Sequence, residues 1–502
     1  MRQAGIRRPF SVARFFLLAS LSGCAGGLFG TVGPDYVPPE NQAAASWQAP
    51  FENRALAHQG STQHLSTWWA QFNDAALDAL IAAAQARSST LAQAAATIER
   101  ARADAIAAGV AATPSVDGIA SANRSAFTLG GPAALRSQSQ LGLQARWEID
   151  LFGGLARERE SRQATLESKL ALWHDARVSL AAEVANAYVN LRYCEIQVEQ
   201  AEAELRSRGE TARITAAAGR AGMQSEAAIA RVQAVAADAA GALAQRRAQC
   251  DISVKGLVAL TAIDEPRLRA LLSQSAGSVA KSPEAAARLP EPAARLPQPA
   301  MFRIDSLPAR VIAQRPDIAA AERQLAAASA DIGNAEADRY PRLTLSGSIT
   351  PTRIAIGNAP ALSLTTWSIG PSLAVPLIDG GRRSANVDAV RAQYAAAESA
   401  YRSRVRNAVR EVEEALVRLA SAAERASEAE AAARGYRANL AAAQSMLRVG
   451  LGSALELEEA RRPSLVAEAA LAALAQERLA AWIALYRAVG GGWEPDPPVA
   501  PR

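Results

Sequence analysis

Histidine, cysteine and aromatic residues are all scarce in this chain of 502 residues: three histidines, three cysteines and 5% aromatics. His58, His64 and His174 share no metal-ligand spacing with one another or with Cys24, Cys194 and Cys250, which excludes the usual metal sites. Three cysteines are too few for a disulfide scaffold. Beyond the N-terminus, no charge-free stretch of about 18 residues is rich in Leu, Ile, Val or Phe, which excludes a multi-span helical membrane protein. No serine elbow or Walker loop occurs, and Gly380-Gly381 is not a dinucleotide loop. The reading is therefore no enzyme, no catalytic residue, no resident metal and no soluble cofactor. What is present is alanine. Half the chain is hydrophobic with few large rings, so its apolar content is mostly small aliphatic side chains. Alanine is the best helix former and lets helices approach closely.

The formal charge of +5 invites nucleic acid or anionic lipid as a partner. The first 23 residues alter that. They carry Arg2, Arg7, Arg8 and Arg14 and no acid, followed by the apolar run FFLLASL at 15–21. This is a signal peptide, too short to span a bilayer. It ends in Leu21-Ser22-Gly23-Cys24, which resembles the bacterial lipobox. That resemblance implies cleavage before Cys24 and a covalent lipid on its thiol, with Ala25 favouring the outer membrane. Removing the segment takes the charge from +5 to +1, and the case for nucleic acid goes with it.

The chain is written twice. Ser89-Thr90-Leu91 aligns with Pro316-Asp317-Ile318, Thr113-Pro114 with Tyr340-Pro341, and Phe152-Gly153-Gly154 with Asp379-Gly380-Gly381, all 227 residues apart. Glu183 and Glu411, then Gly222 and Gly450, are 228 apart. Such an offset signals internal duplication. The expected layout is an anchor and extended segment over 24–74 and a first repeat over 75–280. A Pro-rich, exposed linker over 281–300 leads to a second repeat over 301–490, and a tail over 491–502 closes the chain. Each repeat has a helical run (75–110; 317–339), a strand pair (115–151; 342–377) and a long helical hairpin.

The strands alternate. Leu141, Leu143, Ala145, Trp147, Ile149 and Leu151 share one face, and Gln140, Gln144, Arg146, Glu148 and Asp150 the other. Leu343, Leu345 and Ile349 form a second greasy face, and Trp367, Ile369, Leu373, Val375 and Leu377 a third; residues 115–126 alternate least. A soluble sandwich would show this pattern. So would an outer-membrane barrel, whose strands are apolar outward. Four strands cannot close a barrel, so a barrel demands several copies. The helices are long: from Arg382 to about Arg448 there is no proline, some 100 Å if continuous. Glycine turns at Gly219 to Gly222 and Gly450 to Gly452 reverse each run into a second helix.

At this point the sequence resembles the TolC-type outer-membrane efflux protein family, in its NodT/OprM-like lipoprotein branch. The matching segments are WWAQFNDAALDALI (68–81), WEIDLFGGLARE (147–158), AAEVANAYVNLR (181–192), RPDIAAAERQLAAASADIGNAEADRYP (315–341), VPLIDGGRR (375–383) and ALYRAVGGGW (484–493). The resemblance implies a mainly α chain with a small membrane β part. Three copies would form an α-helical barrel and a 12-stranded transmembrane β-barrel. It also implies a periplasmic adaptor and an RND-type inner-membrane pump as partners, and a lipid-anchored place in the outer membrane. The implied function is the exit duct of a tripartite efflux pump; type I protein secretion and a periplasmic coiled-coil scaffold are the alternatives. The implied gate is the Val449-Gly450-Leu451 turn with Leu455, Glu456 and Glu459, tied by Arg448 or Arg462. Positions 455, 459 and 462 share one helix face. Pro463 is expected to kink that helix. The first tip, Arg220, Gly222 and Met223, lacks acids and reads, like Val449, Gly450 and Leu451, as an adaptor contact. Cys194 and Cys250 are each 28 residues from Gly222 and so at similar height. Similar height does not make side chains face each other, and the expectation is two buried free thiols, although the oxidising periplasm permits a disulfide.

Overall fold

The computed structural model describes residues 30–39, 69, 72, 74–128, 133–279, 296–297 and 312–491. The signal peptide, Cys24 and the tail beyond residue 491 lie outside the described residues, as does most of the linker. The chain divides into two compact units, and neither is one half of the sequence. The first combines residues 1–39, 97–169 and 320–401; the second combines 40–96, 170–319 and 402–502. Each unit draws on both halves, so the sequence repeats are interleaved rather than set side by side as domains.

The first unit holds one antiparallel sheet, in the order β1 (Ser115–Phe127), β2 (Ala134–Ile149), β3 (Arg342–Ile356), β4 (Leu362–Ala374). β1 alternates poorly, yet all its residues pair with β2, from Ser115 opposite Arg146 to Phe127 opposite Ala134. Backbone pairing outweighs a weak side-chain pattern there. The central pairing, β2 with β3, joins the two sequence halves. Between Gln140↔Thr352 and Leu143↔Ile349 the ladder is interrupted where Pro351, which has no N–H, stands in β3. Gly142 lies against this interruption, and a Cβ there would come within 2.7 Å of the Ile349 carbonyl.

Among the described residues, the helices of the first half are α1 (Ala75–Arg87), α2 (Ser89–Val110), α3 (Gly154–Arg220), α4 (Glu226–Thr261) and α5 (Glu265–Val279). Those of the second are α6 (Pro316–Ala337), α7 (Arg382–Arg448) and α8 (Ala454–Ala488). The single run expected over 75–110 is two helices. Ser88 is extended, with ψ 122°, and its hydroxyl accepts the Leu91 N–H, so the serine closes one helix and caps the next. α3 and α7 each contain 67 residues. α8 continues through Pro463 without an assigned break.

The second unit holds the main core, built around Tyr188, Leu191, Leu257, Trp482 and Ile483. Leu296 belongs to it and is fully buried, which corrects the expectation of a linker exposed throughout: its leucine fills the core while the chain passes. α8 lies antiparallel to α3, with Gln476 donating to Asn190 at 2.9 Å and Glu458 bonded to Ser207. α4 is apolar enough over 18 residues to cross a membrane by composition, but only 6% of that window is buried in the chain. Its apolarity comes mainly from alanine, with some valine, rather than from a Leu-rich run.

The two cysteines correct a sequence expectation. Cys194 and Cys250 form a disulfide, with Cα atoms 5.6 Å apart. Arms of 28 residues bring both to one height about 42 Å from the turn. The helices also present facing sides there, with Arg247 paired to Glu202 at 2.7 Å one to two turns along.

Candidate functional site at the hairpin turns

Both hairpins reverse through the same backbone device. α3 ends with the Met223 N–H on the Ala218 carbonyl and the Gly222 N–H on that of Gly219, both at 2.9 Å. α7 ends with the Leu451 N–H on the Met446 carbonyl at 2.9 Å and the Gly450 N–H on that of Leu447 at 3.2 Å. This is the Schellman closure, which needs a left-handed residue past the helix end. Gly222 and Gly450 supply it, with φ of +74° and +77°. A serine then caps the next helix three residues on, Ser225 for α4 and Ser453 for α8.

The turns differ in chemistry. At the first, Arg220 and Met223 are exposed, Met223 to 70%. At the second, Val449 and Leu451 are exposed, and Glu456 completes a capping box. The Ser453 N–H donates to the Glu456 carboxylate at 2.7 Å, and the Ser453 hydroxyl accepts the Glu456 N–H at 3.1 Å. That backbone hydrogen bond holds the Glu456 carboxyl below its ordinary value.

The remaining predicted residues separate. Leu455 is half-buried and Glu459 is exposed. Among the described residues, neither Glu459 nor the exposed Arg448 has an ion-pair partner. Arg462 does not reach Glu459; its guanidinium donates to the Thr211 hydroxyl on α3 at 3.5 Å. Of the proposed gate set, the structure thus joins no acid to an arginine within one chain. Glu456 serves the helix cap, Arg462 serves the neighbouring helix, and Glu459 is left with a free carboxylate.

Sequence reasoning missed Glu458. Its side chain is 3% exposed, bonded to the Ser207 hydroxyl and paired with Arg461 at 2.6 Å. A buried carboxylate persists only with such partners. The Glu458–Arg461 spacing of i, i+3 was visible; burial was not, because Ser207 lies 251 residues away. Thr211 and Thr215 continue this polar seam, each donating its hydroxyl to the carbonyl four residues back.

Two further clusters hold the scaffold. In the second unit, Arg315 is buried and forks onto Asp317, with both bonds 2.9 Å. The same guanidinium reaches Glu411 and the Ala488 carbonyl, each at 2.8 Å. In the first unit, residues 30–39 form an arm with neither helix nor strand. The Val32 N–H donates to the Phe152 carbonyl at 3.0 Å. Arg157, 6% exposed, bridges Asp35 and Glu160 at 2.7 and 2.8 Å. Gly33, with φ +87°, presses on Gly333; a Cβ there would lie 2.3 Å from its Cα. At the strand-to-helix junctions Asp150 accepts the Ala156 N–H at 2.9 Å, and Asp379 accepts that of Arg383 at 3.1 Å. These aspartates begin α3 and α7.

Comparison with known proteins agrees with this layout. The family model described as "Outer membrane efflux protein" matches residues 80–262 and 307–491. Nodulation protein T of Rhizobium leguminosarum bv. trifolii is 32% identical, over 96% of this chain and 97% of its own. Outer membrane protein OprJ of Pseudomonas aeruginosa is 27% identical over 97% of each. The solved outer-membrane channel OprN superposes with a TM-score of 0.74 at 29% identity, over 92% of this chain and 99% of its own. The MtrE outer membrane channel of Neisseria gonorrhoeae, in its open state, gives 0.73 at 25%, over 93% and 99%.

Proposed function

Because the chain belongs to the outer membrane efflux protein family, we propose that it is the outer-membrane exit duct of a tripartite efflux pump, carrying small molecules across periplasm and outer membrane. The observation that carries the reading is the sheet. β1 and β4 are edges of 13 residues each, and the exposed side chains include Leu141 (66%), Trp367 (74%) and Ile369 (72%). Long open edges beside an apolar face do not survive in lipid, where every backbone group needs a partner. Closure by further copies answers both demands. In this reading three chains contribute four strands each to one 12-stranded barrel. The apolar, nearly unburied α4 packs against a neighbouring copy in the α-helical barrel. The repeated order of elements and the matching tip closures support an internal duplication. Cys24 carries the lipid, and the arm over 30–39 ties that anchor to the scaffold.

The hairpin turns form the periplasmic end. Arg220, Gly222 and Met223, with Val449, Gly450 and Leu451, present the surface for a periplasmic adaptor, which links the duct to an RND-type inner-membrane pump. Three-fold symmetry turns Glu459 into a ring of three carboxylates, with Leu455 as an apolar constriction beside it. Glu456 contributes less to the ring than its position suggests, since its carboxylate already closes the helix cap.

Two experiments test this. Deleting the gene is expected to raise sensitivity to at least one antimicrobial or metal; unchanged export across a broad panel contradicts efflux. Glu459→Ala is expected to raise single-channel conductance in planar bilayers and weaken cation preference, because it removes the self-repelling ring. An unchanged conductance moves the constriction elsewhere.

A further inference from the structure

The sheet carries an unassigned charged patch at its turn end. Strand parity defines the faces. On β2 the odd-numbered residues from Leu135 to Leu143 are all exposed, while even-numbered Arg136, Gln138 and Gln140 are half-buried on the other side. The odd face holds Ile149, Trp147, Ala145, Leu143 and Leu141. Leu143 stands opposite Ile349, which stands opposite Trp367. From Ile149 to Leu141 this apolar band runs eight residues, about 26 Å along the strand. With strands tilted about 40° to the barrel axis this is roughly 20 Å of height, most of the apolar belt of about 25 Å that such a barrel presents.

Past Leu141 the same face changes character. Ser139 stands opposite Arg353, which stands opposite Ser363, and Ser137 stands opposite Arg124. Arg124, Ser137, Ser139 and Arg353 line one shallow recess of about 290 Å³. All four are exposed. Arg124 and Arg353 are separated by one intervening strand and offset by two residues along it. This leaves about 12 Å between backbones, a gap two arginine side chains can close on a single anion. Among the described residues neither guanidinium has an ion-pair partner. Arg136, on the opposite face, differs, since it donates to the Gln138 side chain at 2.7 Å. Nor is there an acid to compete: residues 121–140 and 347–368 contain Arg124, Arg136 and Arg353 and no Asp or Glu.

We propose that Arg124, Ser137, Ser139 and Arg353 bind the phosphate of a glycolipid in the outer leaflet. The proposal rests on the outer-membrane placement above. With the strand ends that lead into α3 and α7 on the periplasmic side, the patch lies at outer-leaflet headgroup height, one to two residue pairs beyond the belt. Arginine forks match phosphate oxygens bidentately, and serine hydroxyls add neutral donors. Charge complementarity selects the occupant, because the phosphorylated headgroup is the anion held at this height at high local concentration. Three copies give three such sites around one barrel.

The test uses the full-length, acylated channel in detergent and native mass spectrometry. Bisphosphorylated lipid A, its dephosphorylated form and inorganic phosphate are the probes. The wild type is expected to retain the phosphorylated lipid at least about tenfold better than the dephosphorylated one, and Arg124→Gln/Arg353→Gln to lose that preference. Arg136→Gln, on the inner face, is expected to keep it. Arg124→Lys/Arg353→Lys preserves charge and is expected to retain part of the preference, which separates lost binding from misfolding. Equal retention of both lipids by the wild type overturns the proposal, as does equal loss in Arg136→Gln. Displacement of the lipid by millimolar inorganic phosphate also overturns it, since the site would then be one for free anions. A channel that takes up neither lipid and stays soluble without detergent instead contradicts the outer-membrane placement itself.

Discussion

Replacing both Cys194 and Cys250 with serine is expected to destabilise the first hairpin by about 4 kcal/mol, the chain-entropy value for a bridge spanning 56 residues. Cys194 is 4% exposed and Cys250 packs against the core, so the lost bridge also leaves small polar groups in an apolar seam. The double change avoids a stray reactive thiol. Thermal unfolding of the purified protein, with limited proteolysis of α3 and α4, measures the effect. A melting curve that matches the wild type, with the hairpin equally resistant, contradicts a stabilising bridge. Reduction of the wild type is expected to reproduce the loss.

Arg315→Met is expected to cost about 3–5 kcal/mol, the range for breaking a buried pair by removing one partner. It strands the Asp317 carboxylate, 9% exposed, and leaves the Ala488 carbonyl without this donor. The pair Arg315→Met/Asp317→Leu removes both charges and is expected to recover much of the loss, because two apolar side chains need no partners. Failure to recover would place the value of the cluster in the Glu411 and Ala488 contacts instead. The pH dependence has a definite sign. Burial pushes the Asp317 carboxyl up, but the hydrogen bonds and charge of Arg315, aided by Arg404, outweigh it and hold the carboxyl below its ordinary value. Its stabilisation is therefore complete above the unfolded aspartate value near 4 and is lost as pH falls through the lower folded value. The gap between wild type and Arg315→Met should narrow as acid protonates Asp317, leaving the part owed to the Glu411 and Ala488 contacts.

Local chemistry made much of this fold legible. The glycine turns at 222 and 450, the proline-free runs and the alternation of β2, β3 and β4 are all signals within a few residues of one another. α3, α7 and those three strands lie where the signals are, whereas β1 is held by its pairing with β2. Ser88 breaks the first helical run by a cap that alanine-rich flanks conceal. Long-range pairing was the harder part. Glu458 reads as one more acid in a charged turn until Ser207 is brought against it. Cys194 and Cys250 have a shared height in the sequence, but only the rotation of α3 against α4 makes them face. Arg124 and Arg353 look like scattered surface arginines until strand register sets them on the same face as the apolar belt. The gate set shows the converse. Helix periodicity placed Leu455, Glu459 and Arg462 on one side, but it could not show that a threonine on α3 takes Arg462 and that the cap takes Glu456.

The central claim is that copies of this chain close into a water-filled duct through a membrane. Current through planar lipid bilayers exposed to the purified, acylated protein tests it most directly. Discrete, stepwise conductances are expected from a three-copy assembly that inserts into the bilayer. An assembly that associates with lipid yet passes no ions under any applied voltage, in the wild type and in Glu459→Ala alike, would contradict it.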